Sequence, residues 1–114
     1  MASERQNFTF YQGEDNQIDF YITDDGSPKN LIGATLEWGM WSDVTRLLTK
    51  VTGNGAALAS GDGTNDVVRV TIVKADTIAM PAGVYYHECR VVLNGNEQVV
   101  SVGKALLRES KTKD

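Results

Sequence analysis

His87 and Cys89 are the two side chains in the sequence that could serve as a general base and a nucleophile, and one residue separates them. On a β-strand they would point to the same face about 6.5–7 Å apart. That distance is too long for the direct hydrogen bond through which a histidine activates a thiol. No third residue that would orient the histidine is evident. We therefore predict no catalytic residue, with Cys89 in the core and His87 partly buried, and an enzyme of unfamiliar type is the alternative.

Asp62, Asn65 and Asp66 stand among glycines and could offer oxygen ligands to a calcium ion. Their spacing differs from that of the EF-hand loop, and no glutamate follows at the distance which that loop requires. An ordinary turn is the simpler interpretation. The sequence also contains no P-loop, no GxGxxG after a strand, no HExxH and no CxxC. We predict no metal and no cofactor.

Two further turns carry adjacent acidic residues, Glu14 with Asp15 and Asp24 with Asp25. A pair of carboxylates that hydrolyses glycosides needs a fixed separation of roughly 5–9 Å. Spacing along the sequence does not establish such a separation. We interpret these residues as solvated loop acids.

Trp38 and Trp41 are an odd number of residues apart, so a regular strand places them on opposite faces. Trp38 shares its face with apolar neighbours and is predicted to be buried. Trp41 is then an outward interface residue, unless a bulge near Gly39 turns it into the core, and both interpretations stay open. Tyr21 and Tyr86 also fall on outward faces of their strands. Exposed aromatic residues are typical anchors of protein interfaces, so the candidate interface residues are Trp41, Tyr21 and Tyr86.

Alternation of apolar and polar residues, interrupted by turn residues, predicts seven or eight short strands and no long helix. The predicted strands cover residues 7–11, 18–22, 34–41, 46–51, 67–73, 84–93, 97–102 and 104–107. Residues 53–55 and 61–66 are predicted loops with a weak apolar segment at 56–59 between them, and residues 74–80 could form one helical turn. Asn94-Gly95 is typical of a two-residue hairpin. This pattern predicts an all-β, antiparallel sandwich.

The length of 114 residues fits one domain, residues 1–114, with polar arms at roughly 1–6 and 109–114. A net charge of −4 gives no electrostatic reason to expect nucleic acid or an anionic membrane as a partner. No apolar run approaches the roughly 20 residues that span a bilayer. The sequence has one cysteine, so an intrachain disulfide is impossible, which fits synthesis in a reducing cytoplasm.

Two stretches of the sequence carry a family resemblance. The first is YQGEDNQIDFYI at residues 11–22, followed by DDGSPKNLIGATL at 24–36, and the second is ADTIAMPAGVYYHECRV at 75–91, closing with VSVGKAL at 100–106. Together they resemble small immunoglobulin-like domains of tailed-bacteriophage virions. The N-terminal domain of baseplate upper proteins is one such domain, and tail, fibre and capsid-decoration modules are others. The resemblance extends over residues 7–107.

The resemblance implies an immunoglobulin-like sandwich and a non-enzymatic structural role in the virion, reached after synthesis in the host bacterial cytoplasm. Its partners would be capsid subunits (as a decoration or cement protein) or tail and baseplate subunits, with self-association also possible. Those relatives usually continue into further domains, whereas this sequence ends after one. This difference favours a stand-alone accessory piece over a central baseplate organiser. Asp76, Gly83 and Tyr85 stand where a tyrosine corner would bond back to the preceding turn. A carbohydrate- or host-surface-binding module is the alternative function.

Overall fold

The computed structural model describes residues 4–109, and almost all of their regular structure is β-strand. The strands are β1 (Glu4–Arg5), β2 (Phe8–Tyr11), β3 (Asn16–Tyr21), β4 (Thr23–Asp24), β5 (Ser27–Pro28), β6 (Thr35–Ser42), β7 (Thr45–Thr52), β8 (Gly55–Ala59), β9 (Val67–Ile72), β10 (Gly83–Leu93) and β11 (Asn96–Arg108). One helical turn, α1 (Lys74–Thr77), lies within the predicted range. Strand β8 occupies the weak apolar segment that the sequence pattern left between two loops.

Nine of the strands form one sheet in the order β1-β11-β10-β6-β7-β8-β9-β3, with β2 following β1 along the same edge of β11, while β4 and β5 form a separate pair. Most neighbours are antiparallel, but β1 and β2 run parallel to β11, and β7 runs parallel to β8. The prediction of a purely antiparallel sheet is therefore wrong, and the sheet is mixed. At β7–β8 the cause is local, because Gly53 and Gly55 both have positive φ and let the chain step sideways without reversing.

The long sheet folds over between β7 and β8, so that its two halves pack face to face. Phe20 of β3 and His87 of β10 come from opposite halves, and their ring centroids are 5.7 Å apart. Trp38, in the middle of β6, is completely buried, as the alternation predicts. These contacts make the two halves the layers of a sandwich with one shared apolar core.

The hairpin between β10 and β11 is the longest strand pairing among the described residues, with one register shift between Cys89 and Arg90. It carries most of the features discussed below. It turns at Asn94 and Gly95, which both have positive φ, as the two-residue hairpin signal predicts. Along β10, Tyr85, His87 and Cys89 are buried, and the residues between them point outward. Period-two alternation thus assigns one face of β10 to the core and the other to the surface.

Residues 4–6 do not form the free polar arm that the sequence pattern predicted. Glu4 and Arg5 pair with Ser101 and Val102 of β11, and the amide of Gln6 donates to the carbonyl of Val102 at 2.8 Å. Main-chain pairing on a sheet edge does not depend on apolar side chains. The polar residues of this segment therefore gave no sign that it forms a strand. The remaining parts of the predicted arms, residues 1–3 and 110–114, lie outside the described residues.

The layers, the buried tryptophan and the β10–β11 hairpin make this an immunoglobulin-like sandwich. Trp38 on β6 is the direct register partner of Cys89 on β10, at the centre of one layer. Cys89 is buried and free. Across residues 4–109 no helix has both the length and the apolar character to cross a membrane.

Candidate functional site

The outward side of the layer formed by β7, β6, β10, β11 and β1 is here called the outer face. Its central strand is β10, whose outward side chains include Tyr86, Glu88 and Arg90. Tyr86 has Trp41 of β6 as its register partner on one side and Lys104 of β11 on the other. Side chains directly opposite each other on neighbouring strands are within contact range. Two of the three predicted interface residues, Trp41 and Tyr86, are therefore brought together.

Trp41 stays on the outer face because Gly39, two residues earlier, leaves space for its ring. A Cβ atom on Gly39 would lie 2.6 Å from Cη2 of Trp41, so only glycine leaves space for the indole there. The register between β6 and β7 shifts between Met40 and Trp41, which makes Arg46 the partner of Trp41. The guanidinium carbon of Arg46 is 4.4 Å from the centroid of the indole, in cation–π geometry. A bulge is thus present, but the interpretation that it carries Trp41 into the core is wrong.

A shallow groove of about 460 Å³ runs beside Tyr86 on the outer face. Trp41 and Val102 contribute apolar surface to it, and Arg5, Asp43 and Glu88 contribute charges of both signs. The ring of Tyr86 itself is 51 % exposed. An aromatic ring beside a mixed polar and apolar groove is the composition of an interface centre with its rim.

Ion pairs hold several of the charged side chains on the outer face. Arg90 donates to Glu88 at 3.1 Å and to Glu97 at 2.9 Å, and these bonds raise the pKa of the guanidinium. Arg46 lies 3.5 Å from Glu37 across the neighbouring strands. Exposed pairs of this kind contribute little to stability. They place cations and carboxylates next to each other on the outer face.

Tyr21, the third predicted interface residue, is 50 % exposed but belongs to the opposite layer. It lies at the end of β3 beside the loop after β8, and a Cβ atom on Gly61 would overlap its ring. Tyr21 therefore packs on its own loop and contributes nothing to the outer face.

The side chains of His87 and Cys89 are almost completely buried. His87 is 2 % exposed, so the prediction that it is partly buried is wrong. Phe8, Phe20 and Trp38 pack around its ring, and burial lowers its pKa. Burial also raises the pKa of Cys89 to about 12, which keeps its thiol protonated at neutral pH.

Tyr85 and Asp76 both stabilise the segment that leads into β10, but they bond to different parts of the chain. The hydroxyl of Tyr85 donates to the carbonyl of Pro81, four residues earlier and two before Gly83. The carboxylate of Asp76 accepts from the amide of Val73 at 2.8 Å and pairs with Lys50 of β7 at 2.7 Å. Asp76 thus attaches the helical turn α1 to β7 and makes no hydrogen bond to Tyr85 among those observed.

Two of the loop acids, Asp66 and Asp15, accept hydrogen bonds from main-chain amides. Asp66 accepts from the amides of Gly61 and Gly63 at 2.8 and 3.0 Å, and these bonds lower its pKa. Asp15 accepts from the amide of Lys74 at the start of α1, at 2.8 Å. Within residues 4–109, no three acidic, histidine or cysteine side chains come together in an arrangement that could hold a metal ion.

Arg5, Arg46, Glu88 and Val102 belong to the candidate site, although residue type alone did not single them out. Strand register places them there, since Arg5 pairs with Val102 and Arg46 with Trp41. Alternation along β10 already indicated that Glu88 points outward with Tyr86. The sequence could not show which strands lie next to β10.

No family model and no curated protein matches the chain. Among solved structures, it is similar to the natural-killer-cell receptor NKp44, described as a triggering partner in natural cytotoxicity, with 18% sequence identity and a TM-score of 0.48. That match covers 95% of this chain and 100% of the receptor chain. It is also similar to murine CRIg, with 12% identity, a TM-score of 0.41 and 92% of each chain covered. The fold assignment itself comes from the strand order, the layers and the buried tryptophan.

Proposed function

We propose that the protein is a non-enzymatic assembly module that binds other proteins through the outer face. The observation that carries this proposal is the cross-strand pair of Trp41 and Tyr86, a partly exposed indole beside a half-exposed phenol near the end of β6. Aromatic side chains at the centre of a surface, surrounded by polar groups, supply most of the energy of protein interfaces.

The outer face can bind a partner without reorganising itself. Its strands are joined by main-chain pairing along their length, with one register shift in β6–β7 and one in β10–β11. Trp41 is held between the backbone of Gly39 and the guanidinium of Arg46. Side chains that are already fixed lose little conformational entropy when a partner covers them. A pre-organised aromatic surface on a rigid sheet suits a structural contact.

We propose further that this contact is made in the virion of a tailed bacteriophage. The support is the resemblance in residues 7–107, whose elements are scaffold features such as Gly33, Gly83 and Tyr85 rather than catalytic residues. The docking partners are then capsid subunits or tail and baseplate subunits. We prefer a capsid-decoration position over a tail position.

A carbohydrate- or host-surface-binding module is the second candidate, and one observation counts in its favour. The ring of Tyr86 is exposed beside the carboxylates of Asp43 and Glu88, which could accept hydrogen bonds from sugar hydroxyls. Against it, one face of the Trp41 indole is covered by Arg46, so a sugar ring would first have to displace the guanidinium. We therefore place protein binding first.

The test uses particles of the phage that encodes the protein, propagated without the native gene and supplied with tagged protein. Particles are purified on a density gradient and probed for the tag. Wild-type protein is expected to copurify in a fixed ratio to the major capsid or tail protein, and Tyr86→Ala is expected to be lost. Tyr21→Ala is the matched control, since it removes an equally exposed tyrosine from the opposite layer. Absence of the wild-type protein from the particles would refute the virion role, and binding to a glycan array would then support the second candidate.

A further inference from the structure

We infer that the occupant of the outer face is a second copy of this chain, related by a two-fold axis, with Tyr86 of each copy seated in the groove of the other. This inference rests on the proposed function, because it names the partner of the same surface. It would make the assembly unit an isologous dimer.

The first argument is that the outer face contains both a projection and its receptor. Tyr86 forms part of the wall of the groove that Trp41, Val102 and Arg5 also line, and its ring is half exposed. In an isologous contact the same patch serves both subunits, so each feature must find its complement within that patch. A half-exposed tyrosine in the wall of a groove lined by both apolar and charged side chains fulfils this condition, since its ring can cover apolar surface while its hydroxyl contacts a charged group.

The second argument is the balance of charge on the outer face. The chain as a whole has a net charge of −4. Among the described side chains, the outer face instead has five cations, Arg5, Arg46, Arg90, Lys104 and Arg108, against four carboxylates, Glu37, Asp43, Glu88 and Glu97. Like charges that face each other oppose association, whereas a mixed pattern with little net charge can pair with itself after a two-fold rotation. The charge that would repel a second copy therefore lies mainly on other surfaces.

The third argument is area. Strands β6 and β7 have 8 residues each, β10 has 11, β11 has 13 and β1 has 2. At roughly 3.3 Å per residue and about 4.8 Å between strands, they span on the order of 600 Å² in projection. A standard interface buries about 800 Å² of accessible surface per partner. Because side chains corrugate the sheet, its accessible surface exceeds the projection, so the outer face alone is large enough for a stable dimer.

Sedimentation equilibrium of the full chain over a wide concentration range tests this inference. Wild type is expected to be dimeric, and Tyr86→Ala to weaken dimerisation by roughly 30-fold or more, as for an anchor at an interface centre. Tyr21→Ala is expected to dimerise like wild type, and circular dichroism checks that each variant is folded. A wild-type chain that stays monomeric would overturn the inference, as would a dimer that is indifferent to Tyr86→Ala.

Comparison with the particle assay separates the two proposals. If wild type is monomeric but Tyr86→Ala is lost from particles, the second copy is wrong and docking through the outer face stands. If Tyr86→Ala abolishes the dimer but still copurifies with particles, the inference stands and the virion contact lies on another surface.

Discussion

His87 donates its Nε2 proton to the main-chain carbonyl oxygen of Gln6 at 2.5 Å, joining the core of β10 to the N-terminal segment across 81 residues of sequence. A carbonyl can only accept, so this bond requires the Nε2–H tautomer. The other ring nitrogen, Nδ1, is buried without a partner among the described residues. Protonation of His87 would therefore place an uncompensated charge among aromatic rings.

Stability is expected to fall as the pH is lowered through the range below 6.5. Burial lowers the pKa of His87 from its ordinary value of 6.5, so the unfolded chain binds a proton at a higher pH than the folded chain does. Between the two pKa values the unfolded state holds more protons, and the free energy of unfolding decreases with falling pH. Thermal melting between about pH 7.5 and pH 5 measures this effect, because an unperturbed histidine titrates there.

The control for this pH dependence is His87→Gln, which keeps a donor near Gln6 and cannot titrate. His87 is the only histidine in the sequence, so the variant should have a nearly flat melting profile over the same range. A profile as steep as that of wild type would show that another group is responsible.

Gly103→Ala is expected to detach the N-terminal strands from β11. A Cβ atom at position 103 would overlap the carbonyl oxygen of Gln6 and lie 2.7 Å from its carbonyl carbon, and main-chain atoms cannot move aside cheaply. We expect a loss of about 1–3 kcal/mol in the free energy of unfolding, the usual cost of overpacking. Chemical denaturation measures it, and Lys104→Ala, at the exposed neighbouring position, should cost much less. Equal stability of Gly103→Ala and wild type would contradict the described path of residues 5–8.

Tyr85→Phe is expected to lower the free energy of unfolding by about 1 kcal/mol. The variant keeps the buried ring but removes the hydrogen bond to the carbonyl of Pro81, which leaves that carbonyl short of a donor. Tyr86→Phe, one residue further along, changes an exposed hydroxyl and serves as the comparison. The two variants are measured by urea denaturation, and a Tyr86→Phe effect as large as that of Tyr85→Phe would argue against the corner.

Cys89 is expected to resist alkylation for as long as the protein is folded. Its thiol is completely buried, and a pKa of about 12 leaves almost no thiolate at neutral pH. Mass spectrometry after iodoacetamide treatment should show unmodified native protein and full modification in concentrated guanidinium chloride. Rapid modification of the native protein would reopen the catalytic interpretation of His87 and Cys89.

Period-two alternation was sufficient to predict the class of the fold and the orientation of many side chains. It placed Trp38 in the core and Tyr86 at the surface, since each lies on a long strand with one dry side. The polar pairing at Glu4–Arg5 escaped it, because main-chain hydrogen bonds leave no trace in side-chain type. Strand β8 escaped it because its small residues give a weak pattern.

The neighbour relations of the candidate site were beyond the reach of the sequence pattern. Alternation indicated that Trp41, Tyr21 and Tyr86 point outward, but it could not say that two share a layer and the third does not. That distinction depends on strand order, which brings β6 next to β10 and sends β3 to the far end of the sheet. For Trp41, both open interpretations contained part of the answer, since the bulge exists and the ring is nevertheless outside.

The parallel pairing of β1 and β2 with β11 has a mechanical consequence. Because the strands run in the same direction, residue 4 and residue 109 lie at opposite ends of the same ribbon. A tensile load applied between these two residues would act along the strands and strain their hydrogen bonds together, rather than opening them one after another. The fold therefore has the geometry of a shear-resistant link, a property that pulling experiments on a single molecule would measure as a high rupture force.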